Sequence, residues 1–265
     1  MENLVIVRGG GDLATGTIYK LIQCGYKVLV LEVANPSCIR RTVSFCEAIY
    51  DKEKTVEGVA CYYASSKEEA LELLNDNKLT LMIDPKGKMI PEFQPIAVVD
   101  AIIAKKNLGT NKNMAPITIA LGPGFVAGKD CDAVIETKRG HQLGRVIYEG
   151  EAIKNTGIPG MIAGYGKERV IHAPVSGTIK HVKHLTDQVE KGEVICSIDD
   201  TPVEASLTGL LRGLIREGYQ VPIGFKIADI DPRIDEYENC FTISDKARAI
   251  AGGVIEALLH LSRKS

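Results

Sequence analysis

The strongest constraint on the fold sits at the start of the chain. Residues 4–8 read LVIVR, a short apolar run rich in β-branched side chains, and Gly9-Gly10-Gly11-Asp12 follows directly. Leu13, Ile18, Leu21 and Ile22 then share one face of a predicted helix, which Gly25 is placed to close. A second apolar run, residues 28–33, begins at once. Strand, glycine loop, helix and strand in this order point to a β–α–β unit with parallel strands.

That order suits a particular chemistry. Glycines let the backbone turn sharply after a strand and let a phosphate approach the amides, while a helix N-terminus offers unpaired N–H groups and the positive end of its dipole. Gly9-x-Gly11-x-x-Ala14 fits the relaxed dinucleotide fingerprint, with Ala14 as the small third residue. Glu32 closes the second run 21 residues after Gly11, where an acidic side chain meets ribose hydroxyls. Gly9, Gly10, Gly11, Asp12 and Glu32 are therefore candidate cofactor-binding residues; a tight turn without a ligand is the other reading of the same glycines.

The alternation continues. Ser65-Ser66-Lys67-Glu68-Glu69 has the form of a capped helix start, running to about Asn75. Residues 79–84 read as a strand ending at Asp84-Pro85, and residues 96–103 and 117–121 as further strands. Residues 1–150 are thus expected to form a Rossmann-like α/β module. Ligands of such sheets sit beyond the C-terminal strand ends, where Asp84 and the loop Gly122-Pro123-Gly124-Phe125 join the glycine loop. Arg40-Arg41 has the form of an anion clamp or a solvated pair. Glu136-Thr137-Lys138-Arg139-Gly140-His141 suits anion binding, proton transfer or an exposed turn. It holds too few donors for a metal centre, and no metal ligand set is expected. The serine-hydrolase, zinc-protease and P-loop signatures are missing, and no clear acid–base set stands out, so whether a reaction is catalysed stays open.

Composition narrows the partners. With 32 Lys+Arg against 34 Asp+Glu over 265 residues, nothing calls for nucleic acid or an anionic membrane. The N-terminus lacks the pattern of a signal peptide, and no apolar stretch reaches the about 18 residues of a membrane span, so a cytoplasmic protein is expected. Seven cysteines, an odd number without a CxxC pair, read as reduced and mostly buried thiols, with Cys38 and Cys46 the two expected to be exposed.

Beyond a glycine-rich junction over residues 151–167, residues 168–232 hold an internal repeat. At an offset of 32, Ala173 meets Ala205, Gly177 meets Gly209, Val189 meets Val221, Gly192 meets Gly224, Ile195 meets Ile227 and Ile198-Asp199 meets Ile230-Asp231, without a gap. Two equivalent β-halves are implied. Residues 233–265 end in an amphipathic helix expected to pack back on the first module; the cost of Gly252-Gly253 within it implies close backbone packing.

Ala173-Pro174-Val175-Ser176-Gly177 and Val189-Glu190-Lys191-Gly192-Glu193-Val194 resemble the halves of biotinyl and lipoyl carrier domains, implying a lipoyl-like β-barrel. The joint, Asp199-Asp200-Thr201-Pro202-Val203-Glu204, lacks the lysine that carriers modify, so a swinging-arm role is not expected. More widely, the ordered set of residues 9–16 (GGGDLATG), 39–48 (IRRTVSFCEA), 122–128 (GPGFVAG), 134–147 (VIETKRGHQLGRVI) and 155–160 (NTGIPG) resembles the YqeB-like family of selenium-dependent molybdenum hydroxylase system proteins. The resemblance implies an accessory protein that works with the hydroxylase and other maturation proteins, and binds an NAD(P)-like dinucleotide or a molybdopterin-type cofactor. It also implies that Arg40, Arg41, Gly122, Gly124 and Phe125 close the cleft, with Arg139 and His141 at its far side. A free-standing NAD(P)-dependent oxidoreductase is the second function class.

Overall fold

The computed structural model describes residues 2–157 and 160–263; Ile158 and Pro159 of the expected glycine-rich junction lie outside the described residues. The chain divides into two compact units. One comprises the chain up to Pro36, Ser44–Asn155 and the stretch from Ile243 onward; the other comprises Ser37–Val43 and Thr156–Thr242.

The first unit is built on β1 (Leu4–Arg8), α1 (Asp12–Gln23), β2 (Lys27–Glu32), α2 (Ala48–Asp51), β3 (Glu53–Val56), β4 (Val59–Ala64), α3 (Lys67–Asn75), β5 (Leu79–Ile83), α4 (Ile90–Phe93), β6 (Ala97–Asp100), β7 (Ile117–Leu121), β8 (Val126–Ala127), β9 (Ala133–Ile135), β10 (Val146–Ile147) and β11 (Gly150–Glu151). Nine of these strands form one sheet in the order β10-β9-β7-β6-β1-β2-β5-β4-β3. Its central strands are buried throughout because both faces are covered. Leu4, Ile6, Leu29 and Leu31 pack with Ala70 and Leu74 of α3. The C-terminal helix α5 (Asp245–Ser262) packs on α1, as its apolar stripe suggested. A Cβ added at Gly16 would lie 2.7 Å from the Ala247 Cβ, so glycine is what lets these helices approach so closely.

The second unit contains β12 (Val170–His172), β13 (Gly177–His181), β14 (Gln188–Val189), β15 (Val194–Ile198), β16 (Thr201–Glu204), β17 (Gly209–Leu214), β18 (Gln220–Val221) and β19 (Lys226–Asp231). They make two four-stranded antiparallel sheets, β12-β19-β17-β14 and β16-β15-β13-β18. Exchanging each strand of the second order for its repeat mate 32 residues away, β16 and β18 backward and β15 and β13 forward, reproduces the first order, so the repeat is written in the topology. The repeat-related pairs Ile179 and Leu211, Val189 and Val221, and Ile195 and Ile227 are buried in a single core. Ser37–Val43 is woven into this unit: the Leu214 N–H donates to the Ile39 carbonyl at 2.9 Å.

The expected fold, a Rossmann-like parallel module followed by a lipoyl/biotinyl-like barrel, is corrected by this topology. The large sheet is mixed, because β3 and β10 run antiparallel at its two edges. Its parallel strands follow β4-β5-β2-β1-β6-β7-β9, with β5 inserted between β2 and β4, and the connections after β6 and β7 carry no α-helix. The antiparallel edge has a local cause: Glu57 (φ 46°) and Gly58 (φ 80°) form a two-residue turn with positive φ at both positions, which closes a hairpin. The second unit is described by its two antiparallel sheets. The thiols also need correction. Cys24 is exposed and Cys46 fully buried, because the polar segment around Cys46 folds under the glycine loop.

Candidate functional site

Parallel strands place their C-terminal ends on one edge of the sheet, and β1, β2, β5 and β6 end there at Arg8, Glu32, Ile83 and Asp100. The turn after β1 begins at Gly9, whose φ of 96° favours glycine. A Cβ on Gly9 would lie 3.0 Å from the Ala101 carbonyl oxygen, and one on Gly10 3.0 Å from the Cys46 nitrogen. Two of the three glycines are therefore required by the close approach of the protein's own backbone. The Cys46 N–H donates to the Gly10 carbonyl at 2.9 Å. The Gly10 N–H donates to Glu32 Oε2 at 2.7 Å, and the Val33 N–H to Glu32 Oε1 at 2.7 Å. The acid expected to meet a ribose is thus held by the backbone. Burial raises its pKa above 4.5, and the two N–H donors offset part of that.

What stays accessible is the helix start. Gly11 is the N-cap of α1 with φ −67° and ψ −178°, and no side chain caps the helix. Residues 11–13 are partly exposed, with Asp12 in the first turn. The N–H groups of a first turn have no partner within the helix and favour an anion.

Beneath the loop lies a buried ionic cluster that the sequence reading missed. Arg8, 1% exposed, donates from Nη1 to Thr110 Oγ1 and from Nη2 to the Pro85 carbonyl at 3.0 Å. Its Nη1 is 3.6 Å from Asp100 Oδ2, and Thr110 Oγ1 donates to that oxygen at 2.5 Å. Burial pushes the Asp100 carboxyl up, against the opposing pull of Thr110, the Ile102 N–H and Arg8. The available signal was a charged residue closing each of two wholly apolar strands, LVIVR and AVVD. Arg8 thereby ties the loops after β5 and β6 to the strand that carries the glycines.

The remaining candidates fall in several places. Asp84 is buried after β5, accepting the Met89 N–H at 2.8 Å. Gly122 (φ 79°) and Gly124 (φ 108°) shape the turn after β7; a Cβ on Gly124 would lie 2.6 Å from the Lys106 Cα. Phe125 sits in a core with Ala120 and Val134. Arg139 makes a bidentate ion pair with Asp245, at 2.6 and 2.9 Å, and His141 is exposed. Arg40 and Arg41 belong to the second unit, where Arg40 donates to the Asn239 carbonyl at 3.1 Å and Arg41 to the Leu214 carbonyl at 2.8 Å. Glu136 accepts the N–H groups of Lys138 and Ile153. The strand-end carboxylates are therefore engaged by backbone donors or by Arg8, an arrangement suited to shaping a binding edge rather than to moving protons.

The comparisons add the following. No family model matches the chain. It is 52% identical over 260 residues to the uncharacterized protein YqeB of Escherichia coli K12, covering 98% of this chain and 48% of that protein. The chain is similar to YqeB over this span, and spans about half the length of that relative. Among solved structures it is similar to an aspartoacylase family protein of Mesorhizobium loti (9% identity, 86% of this chain and 84% of that one, TM-score 0.28). It is similar too to the product-bound ectoine utilization protein EutE (DoeB) of Ruegeria pomeroyi (12%, 86% and 57%, TM-score 0.24).

Proposed function

We propose that this chain binds a phosphate-bearing cofactor, nucleotide-like or of molybdopterin type, at the glycine loop, and that it serves as an accessory protein in maturing selenium-dependent molybdenum hydroxylases. The observation that carries the binding part is the start of α1: Gly11 and the first turn are partly exposed, without a side-chain cap, at the C-terminal edge of parallel strands. Gly10 gives its N–H to Glu32, so a phosphate is expected over Gly11 and the start of α1 rather than over Gly10. The maturation role and the hydroxylase partner rest on the motifs shared with the YqeB-like family. The engaged state of the strand-end carboxylates favours cofactor handling over turnover.

Gly11→Val tests the site. At φ −67° and ψ −178° valine suits the backbone, so the variant is expected to fold while its branched Cβ blocks phosphate approach. Calorimetry with ADP and NAD⁺ as probes should show at least about tenfold weaker binding in Gly11→Val, with an unchanged circular dichroism spectrum. Unchanged affinity in a folded variant removes the glycine loop from the site. Anaerobic purification with elemental analysis for molybdenum and selenium tests the accessory role, and steady nicotinamide turnover with a small substrate would favour an oxidoreductase instead.

A further inference from the structure

The loops of the first unit that follow β5, β6, β7 and β9 at the C-terminal sheet edge have an unusual charge content. Residues 85–89 (PKGKM), 101–116 (AIIAKKNLGTNKNMAP), 122–125 (GPGF) and 137–145 (TKRGHQLGR) contain no aspartate or glutamate, in a chain whose Asp+Glu total of 34 exceeds its Lys+Arg total of 32. The carboxylates at the strand ends do not offset this outside the protein. Asp84, Asp100 and Glu136 are buried and hydrogen-bonded inward, and Glu32 is held by two backbone N–H groups. Acidic groups nearer the surface of this edge lie in helix starts: Asp12 in the first turn of α1, Glu68 and Glu69 in that of α3 after β4, and Glu92 in α4, where Glu69 accepts from Ser65 and Glu92 pairs with Lys67.

Lys86 and Lys88 after β5, and Lys105 and Lys106 early in the loop after β6, are exposed. By contrast, Lys67 pairs with Glu92 at 2.7 Å and Lys112, later in the loop after β6, with Asp132 at 3.1 Å. The two lysine-bearing loops are fixed with respect to each other. Arg8 donates to the Pro85 carbonyl, next to Lys86, and to Thr110, which closes the segment bearing Lys105 and Lys106. Within that segment Ile103 (φ 58°) and Lys105 (φ 61°) both adopt the left-handed conformation, which is costly for a β-branched residue and is maintained by the surrounding structure. Exposed apolar side chains accompany the cations: Val33 and Ile83 at the ends of β2 and β5, and Leu108 beside Lys106.

We infer that Lys86, Lys88, Lys105 and Lys106 form a cationic rim that recognises the diphosphate or triphosphate of a small ligand, with Val33, Ile83 and Leu108 offering surface to its organic part. The inference rests on the proposed cofactor site and deepens it: the α1 amides receive one phosphate, and the lysines, as mobile point charges, neutralise the others. The chain's net charge of −2 argues against a general nucleic-acid surface.

The experiment measures binding of ADP and of inorganic pyrophosphate to the full chain by calorimetry, at low and at high salt. Lys86→Gln/Lys88→Gln and Lys105→Gln/Lys106→Gln are each expected to weaken both probes about tenfold and to reduce the salt dependence, with unchanged circular dichroism. The exposed positions of these side chains keep the folding risk low, and Lys→Arg at the same sites should retain binding. Wild-type affinity in both glutamine variants overturns the inference, as does a wild-type protein that binds neither probe. If Gly11→Val abolishes binding while the lysine variants do not, the cofactor site stands and the rim falls. If the lysine variants abolish it while Gly11→Val does not, the rim stands without the glycine loop. A single-stranded oligonucleotide bound as tightly as ADP would also overturn it, by showing a general polyanion surface.

Discussion

Glu32 keeps both carboxylate oxygens 2.7 Å from backbone N–H donors, and burial raises its pKa above 4.5. The folded state then holds the Glu32 proton more tightly than the unfolded chain does. Its contribution to stability is full below 4.5 and is lost as pH rises through the folded-state pKa. Glu32→Gln removes that titration. Urea unfolding of both proteins between about pH 4 and about pH 8 should show the stability difference, wild type minus variant, falling with pH and then levelling. A difference that stays flat over this range would show that the carboxylate titrates alike in both states. The position of Glu32 was legible from its spacing to Gly11, because a strand of known rise ends where the glycine loop begins. Its partner was not, since which N–H a carboxylate meets depends on how tightly the loop closes. Arg8 and Asp100 were overlooked for a related reason. Each looks like the polar end of a strand until the sheet order puts β1 beside β6.

At the scale of elements, periodicity identified α1, α3 and α5, and the apolar runs identified the central strands. The β3–β4 hairpin was hidden because Glu57 gives no turn signal of its own, and the strand expected over residues 96–103 stops at Asp100, where the backbone becomes irregular. The glycine pair in α5 shows the same limit. Sequence alone marks both Gly252 and Gly253 as costly in a helix, while the structure separates them. Gly252 is exposed with nothing near its missing Cβ, whereas a Cβ on Gly253 would collide with the Gly144 carbonyl oxygen and approach Ile135 Cγ2 at 2.9 Å. Gly252→Ala should therefore stabilise the protein by about 0.5–1 kcal/mol through helix propensity. Gly253→Ala should destabilise it by about 1–3 kcal/mol through overpacking. Denaturant midpoints of the two variants, measured side by side, should move in opposite directions; movement in the same direction would contradict this packing of α5.

The whole chain is threaded between two cores. The first unit is assembled from three stretches of sequence and the second from two, so neither is a contiguous segment. Each unit has its own buried apolar cluster, with Leu4, Leu29 and Leu74 in one and Ile195, Leu211 and Ile227 in the other. α5 belongs to the first, where Ala247, Ile250, Ala251, Val254 and Leu258 are at most 1% exposed. Removing residues 243–265 would uncover those contacts on α1; Ile250, Val254 and Leu258 are each worth about 1.5–3 kcal/mol of burial and Ala247 and Ala251 about 0.8 kcal/mol each. The sum, about 6–11 kcal/mol, is comparable with the about 5–15 kcal/mol margin of a typical domain. The second unit loses no strand by this truncation, because β12 to β19 and Ser37–Val43 are all retained. A chain ending at Thr242 is thus expected to lose hydrogen-exchange protection throughout β1, β2, β5, β6 and β7, while residues 170–231 remain protected. Hydrogen exchange read by mass spectrometry decides the matter peptide by peptide. Protection lost equally in both units would show that the second core depends on the first, and protection kept in β1 and β2 would show that α5 contributes little to the sheet it covers.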